Sequence, residues 1–116
     1  MAYPTPLLDQ IQNQHRQQNE QERLATLAKT TEWLEKNAQT YGIVEAYLFG
    51  SVIRPYGFTT HSDVDLAVEQ IDPQLFFQAM ADLSERLERE VDLVELSKCH
   101  FGDRLRQKGI KWTVPD

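Results

Sequence analysis

The sequence predicts a single α/β (α+β) domain, built in layers from helices and a small sheet. Three observations carry that expectation. Apolar residues recur at steps of three and four over residues 24–38 and 75–87. Short apolar or alternating runs, at 43–49, 63–69 and 91–96, lie between and after these helical stretches. The chain has 116 residues, enough for one compact domain and not two.

Taken in order, the first stretch is polar and glutamine-rich, with Gln10, Gln12, Gln14, Gln17, Gln18 and Gln21 after Pro4 and Pro6. Residues 1–16 read as a flexible N-terminal arm, and residues 17–116 as the folded domain. A helix is predicted from about Glu20 to Gln39, with Leu24, Leu27, Ala28, Thr31, Leu34 and Ala38 as its apolar stripe. Gly42 can supply a left-handed residue that ends it. Residues 43–49 then read as a buried strand that stops at Gly50-Ser51.

Residues 52–62 form a polar connection containing Pro55 and Gly57, and Asp63 to Glu69 is the second strand. Asp72-Pro73 is a helix start, with Asp as N-cap and Pro at the first helical position. The stripe of that helix is Leu75, Phe76, Ala79, Met80, Leu83 and Leu87. Val91 to Leu96 is a third strand, and Lys98 to Lys108 a last helix ending at Gly109. Residues 110–114 are a short extended segment suited to a sheet edge.

Composition narrows the function classes. Lys and Arg number 12 against 18 Asp and Glu, a net charge of −6, so direct stable binding to nucleic acid is not expected. An acidic chain can still take a nucleotide through Mg²⁺, and it favours a basic protein partner. The single cysteine, Cys99, allows no intrachain disulfide and reads as a small buried hydrophobe. No apolar run approaches a membrane span, and Met1-Ala2-Tyr3-Pro4 lacks the features of a signal peptide. A cytoplasmic protein is the expectation.

Three groups of residues carry candidate chemistry. Gly50-Ser51 follows a strand directly: glycine admits a ligand close to the backbone, and N–H groups opening a helical turn there could bind phosphate. By itself the dipeptide fits an ordinary turn as well. Asp63 and Asp65 lie two apart on a strand, so their carboxylates share a face, with Val64, Leu66 and Val68 on the other. Two like charges on one face are costly without compensation, and a divalent cation would supply it. A solvated strand end is the alternative. Asp92 shares a face with Val94 and Leu96 on the third strand; alone it fits a strand-edge residue better, and with the other two it could be a third carboxylate at the same place.

Other residues admit two readings each. His61 fits a loop histidine at the site entrance better than a metal ligand. Arg54 could meet a phosphate or pair with an acid. Tyr56 and Phe58 could stack on a base or pack beneath the loop, and Trp33 and Trp112 read as core or partner surface.

Together, Leu48-Phe49-Gly50-Ser51, the string Ser62-Asp63-Val64-Asp65-Leu66-Ala67-Val68 and the later Val91-Asp92-Leu93-Val94 resemble the minimal nucleotidyltransferases, a branch of the DNA polymerase β-like superfamily. The resemblance covers about residues 24–112. Two departures stand out. The Val52–Ser62 gap is eleven residues, one longer than the family pattern, and Val52 replaces the arginine usual after Gly-Ser, with Arg54 two positions later.

The resemblance implies a nucleotidyltransferase fold, a small mixed sheet of three to four strands packed by about four helices. It implies that Gly50 and Ser51 bind the nucleotide's phosphates, and that Asp63, Asp65 and Asp92 are catalytic and hold Mg²⁺, with two ions expected and ATP as co-substrate. It further implies the antitoxin of a type VII-like HEPN/MNT toxin–antitoxin system, a protein adenylyltransferase moving AMP to a tyrosine hydroxyl of a HEPN-type ribonuclease toxin. A small-molecule hydroxyl acceptor of the aminoglycoside kind, or toxin binding without catalysis, are the alternatives.

Overall fold

The computed structural model describes residues 6–115. Helix α1 (Pro6–Tyr41) leads into strand β1 (Glu45–Phe49). A 3₁₀ turn (Gly50–Ile53) and a loop connect to β2 (Val64–Val68). Helix α2 (Phe76–Leu87), strand β3 (Val91–Glu95), helix α3 (Gly102–Lys108) and strand β4 (Ile110–Thr113) complete the order. The sheet runs β3-β2-β1-β4, with β1 antiparallel to β2 and to β4, and β2 parallel to β3. This is the mixed α/β architecture expected, with β4 on the predicted edge. Three α-helices and three short 3₁₀ turns among the described residues stand where about four helices were expected. No helix among them is long and apolar enough to cross a membrane.

Alternation along the strands sorts the side chains onto two faces. Ala46, Leu48, Val64, Leu66, Val68, Val91 and Leu93 face one way and form the main core under α1 and α2. Trp33, Leu34, Ala38 and Tyr41 come from α1, and Ala79, Leu83 and Leu87 from α2. The other face is smaller: Tyr47 and Ala67 pack with Leu96 and with Leu105 of α3. The residues between Leu87 and Val91 make a tight turn, with Glu88 left-handed at φ 53°.

Several local signals act as the sequence suggests. Gly42 is left-handed at φ 75° after α1. Asp72 accepts a hydrogen bond from the Gln74 N–H at 3.0 Å, with Pro73 behind it. The α2 stripe is buried as predicted at Ala79, Leu83 and Leu87, while Leu75, Phe76 and Met80 pack at its margin.

Helix α1 departs from the prediction twice. It begins at Pro6 rather than near Glu20, so residues 6–16 of the stretch read as a flexible arm are helix, exposed through its first turns; residues 1–5 of that arm lie outside the described residues. Its buried face is also rotated. Arg23, Thr26, Thr30, Trp33, Leu34, Ala38 and Tyr41 point inward, whereas Leu24 is 53% exposed. Polar satisfaction explains the rotation. Trp33 Nε1 and Tyr41 OH both donate to one Asp82 carboxylate oxygen, at 3.1 and 3.0 Å, and their rings stack at 5.5 Å. Thr26 and Thr30 donate to carbonyls one turn back, so their hydroxyls are buried with partners. Cys99, expected to be buried, is half-exposed at the end of the 3₁₀ turn Leu96–Lys98.

Candidate active site

Register brings the predicted residues to one sheet end. Phe49 pairs with Asp65, and Asp65 pairs with Asp92, so the three lie in a row across β1, β2 and β3. The parallel spacing sets the Asp65 and Asp92 backbones about 4.8 Å apart. Asp63 stands just before β2, exposed, two residues from Asp65.

Gly50 closes the row from above. It is left-handed at φ 78°, and a Cβ there would sit 2.2 Å from Asp65 Oδ2. Only a residue without a side chain lets the turn lie against that carboxylate. Ser51 follows, half-buried in the 3₁₀ turn. Val52 drives its side chain into the core, fully buried, while Arg23 donates to its carbonyl at 3.2 Å.

The electrostatics follow the geometry. Burial, then the Asp92 charge, then the Asp63 charge push the Asp65 carboxyl above its usual range. Asp92 and Asp63 are both close enough to act on Asp65. Among the described residues, no group of three His, Cys, Asp or Glu side chains is gathered closely enough to hold a metal ion by itself. The donor set nevertheless fits a hard divalent cation. It is all carboxylate oxygen, which suits Mg²⁺ better than zinc, and the mutual repulsion at Asp65 is what a cation would relieve.

Beside Gly50 lies a cleft of about 410 Å³, lined by Phe49, Gly50, Ile53, Arg54, Arg104, Leu105 and Lys108. Its floor is apolar and three of its side chains are cationic. The sequence singles out Arg54, with its role open; it does not single out Arg104 and Lys108. The available signal is an i,i+4 basic pair on the last helix of an acidic chain. Arg106, between them, is instead consumed by Glu69 at 2.6 Å and Asp103 at 2.8 Å. A second groove of about 420 Å³, along Pro73, Phe76, Phe77, Leu93 and Val94, carries only the Glu95–Lys98 pair. None of the three acids lines either cleft; the first is distinguished by its three cations beside Gly50.

The loop from Arg54 to Ser62 resolves the remaining readings. His61 is exposed and its N–H bonds Thr59 Oγ1 at 3.3 Å, as befits a loop histidine. Phe58 is buried beneath the loop with the Arg89 guanidinium 4.3 Å over its ring. Tyr56 is exposed, left-handed at φ 60°, and lies under Arg16 at 4.9 Å. Glu20 accepts from the Tyr56 N–H at 2.9 Å; its carboxyl is held at about 2 by Arg23 first and this N–H second. Trp33 is core, and Trp112 packs at its margin.

Comparison with known proteins agrees with this fold. A chain from a crystal structure of the toxin–antitoxin MntA-HepT matches with a TM-score of 0.55 and 23% identity, over 78% of this chain and 73% of that one. A second crystal structure of that toxin–antitoxin, carrying a tyrosine-to-alanine mutation, matches with a TM-score of 0.57 and 26% identity, over 77% and 72%. No curated protein sequence matches. The polymerase beta, nucleotidyltransferase family matches residues 29–111, which hold Gly50, Ser51, all three acids and the basic cleft. With most of its length matched, the chain belongs to the polymerase beta, nucleotidyltransferase family.

Proposed function

We propose that this protein is the antitoxin of a toxin–antitoxin pair and transfers AMP from ATP to a tyrosine hydroxyl of a HEPN-type ribonuclease toxin in the cytoplasm. One observation carries the chemistry: the Phe49–Asp65–Asp92 row, capped by Gly50 and opening beside a cationic cleft. The likeness to the MntA-HepT structures supports the toxin partner.

In this reading the Gly50-Ser51 turn and the cations Arg54, Arg104 and Lys108 hold the triphosphate. Asp63, Asp65 and Asp92 would hold Mg²⁺, which supplies charge neutralisation on the phosphates when bound. The tyrosine oxygen bonds to the α-phosphorus, the bond from that phosphorus to the bridging oxygen breaks, and pyrophosphate leaves. Asp92 takes the phenolic proton, which a hydroxyl with a pKa near ~10 does not lose unaided at neutral pH. A net charge of −6 suits a partner whose RNA-binding surface is basic. AMP added near that surface would block and repel RNA.

Intact-mass spectrometry of the partner, incubated with ATP, Mg²⁺ and this protein, tests the proposal. Gain of AMP on tyrosine, lost with Asp65→Asn, supports it. A partner left unmodified but inhibited only at equal stoichiometry would replace transfer by binding. AMP appearing only on small aminohydroxyl compounds would move the acceptor.

A further inference from the structure

Asp63 is the one predicted acid that no strand holds in register, since β2 starts after it. The connection before it makes few backbone bonds of its own: Gly57 N–H to the Arg54 carbonyl at 2.9 Å and Ser62 N–H to the Thr59 carbonyl at 3.1 Å. The turn between α2 and β3 holds its last residues from outside the loop. Arg89 Nη1 donates to three loop carbonyls, Thr59 at 3.1 Å, Thr60 at 3.2 Å and Ser62 at 2.9 Å. The next residue of the turn, Glu90, accepts the Val64 N–H on its carbonyl at 3.0 Å. Asp63 is thus bracketed: the residue before it and the residue after it are both tied to Arg89-Glu90.

The guanidinium is built in rather than resting on the surface. Its side chain is only 8% exposed, Nη2 pairs with Glu22 of α1, and its plane lies over Phe58. A planar fork with several donors can span carbonyls, carboxylate and ring together. The turn itself is anchored, because Ser84 on α2 donates its hydroxyl to the Arg89 carbonyl and accepts the Arg89 N–H on its own carbonyl. The same short stretch continues through Val91 to Asp92. Asp63 and Asp92 therefore hang from opposite sides of one turn.

We propose that Arg89 is a positioning residue for metal binding: by tying the Thr59–Ser62 carbonyls to the α2–β3 turn, it fixes the separation of Asp63 from Asp92. This rests on the reading of those acids as cation ligands.

The test is Mn²⁺ binding to the whole protein, followed by electron paramagnetic resonance, with far-UV circular dichroism on the same samples. Arg89→Ala should weaken Mn²⁺ by about tenfold or more, the scale seen when a group supporting a metal ligand is lost. Arg89→Lys keeps a cation but not the fork, and should recover part of the loss. Glu22→Gln removes the ion pair and leaves all three carbonyl contacts, so its affinity should stay within about twofold. A folded Arg89→Ala protein with wild-type affinity overturns the proposal, as does a Glu22→Gln loss equal to that of Arg89→Ala. Should Arg89→Ala not fold, Arg89→Lys decides: weakened binding supports the proposal and wild-type affinity overturns it. If the wild-type protein binds no Mn²⁺, the ligand reading fails instead. The clamp is then judged by hydrogen exchange, which must quicken across residues 59–64 in whichever Arg89 variant folds; unchanged exchange overturns it.

Discussion

Gly50→Ala is the sharpest single test of the site's geometry. The new methyl meets two obstacles. The backbone sits at φ 78°, where an L side chain costs about 1–2 kcal/mol. The methyl would also lie 2.2 Å from Asp65 Oδ2 and 3.2 Å from its Cγ, so the carboxylate must swing away. Forcing Asp65 off its rotamer costs about 0.5–1.5 kcal/mol more. Stiffening the unfolded chain returns about 0.4–1 kcal/mol. The net is a loss of about 0.5–3 kcal/mol, or a fall in Tm of about 2–13 °C for a domain of this size. Nucleotidyl transfer should fall with it, because the displaced carboxylate is a proposed ligand. A double-mutant cycle with Asp65→Ala isolates the contact. With the carboxylate gone, Gly50→Ala should cost less by about the rotamer contribution, 0.5–1.5 kcal/mol. An equal cost in both backgrounds would show that the methyl and the carboxylate never meet. Wild-type transfer by Gly50→Ala would refute the link from this contact to catalysis.

Asp65→Asn should abolish transfer while raising the stability of the metal-free protein at neutral pH by a few tenths to about 1 kcal/mol, because it removes like-charge repulsion. The sign with pH follows from the raised carboxyl: its ionised form opposes folding, so the cost is absent below the unfolded value and appears as pH rises through the folded one. Denaturant melts of wild type and variant should thus converge in acid and separate toward neutral pH; a gap that widens in acid would contradict the assignment. Arg104→Ala and Lys108→Ala should each raise KM for ATP by about three- to tenfold, the scale of one charge-assisted contact, with the wild-type advantage shrinking in high salt. Steady-state kinetics at two ionic strengths measure this, and an unchanged KM in both variants would remove the cleft from nucleotide binding.

Much of this site is legible in the sequence because its parts are local. Gly50-Ser51 after an apolar strand, the two-residue spacing of Asp63 and Asp65, and the parity of Asp92 each follow from backbone geometry. What is not legible depends on which surfaces meet. Steps of three and four along α1 fit two adjacent faces, and hydropathy favours the one holding Leu24, Leu27 and Ala28. The buried face instead carries Arg23 and Thr30, whose polar atoms find Glu20, the Val52 carbonyl and the Thr26 carbonyl. Hydropathy counts such residues as exposed because it cannot see their partners. The glutamine-rich start reads as irregular for want of apolar residues, although Gln, Glu and Arg are good helix formers and α1 runs through them. Arg104 and Lys108 reach Gly50 only because Leu105 docks α3 beneath Tyr47 and Leu96, a contact set by tertiary packing.

Val52 stands where the family pattern has an arginine, and the fold gives a structural reason for the apolar residue. Residue 52 has no room for a charge: its side chain is fully enclosed by the core, and its carbonyl is held by Arg23. An arginine there would have to bury an unpaired guanidinium or reopen the turn, and either outweighs one surface contact. The longer loop offers another route. The Gly57 N–H closes a turn onto the Arg54 carbonyl at 2.9 Å, with Tyr56 left-handed inside it. A Cβ on Gly57 would press on Arg54 at 3.0 Å, so glycine is what lets this turn lie flat against the arginine. Arg54 is left lining the cleft beside Gly50 with Arg104 and Lys108. Restoring arginine at position 52 should therefore destabilise the core rather than improve nucleotide binding.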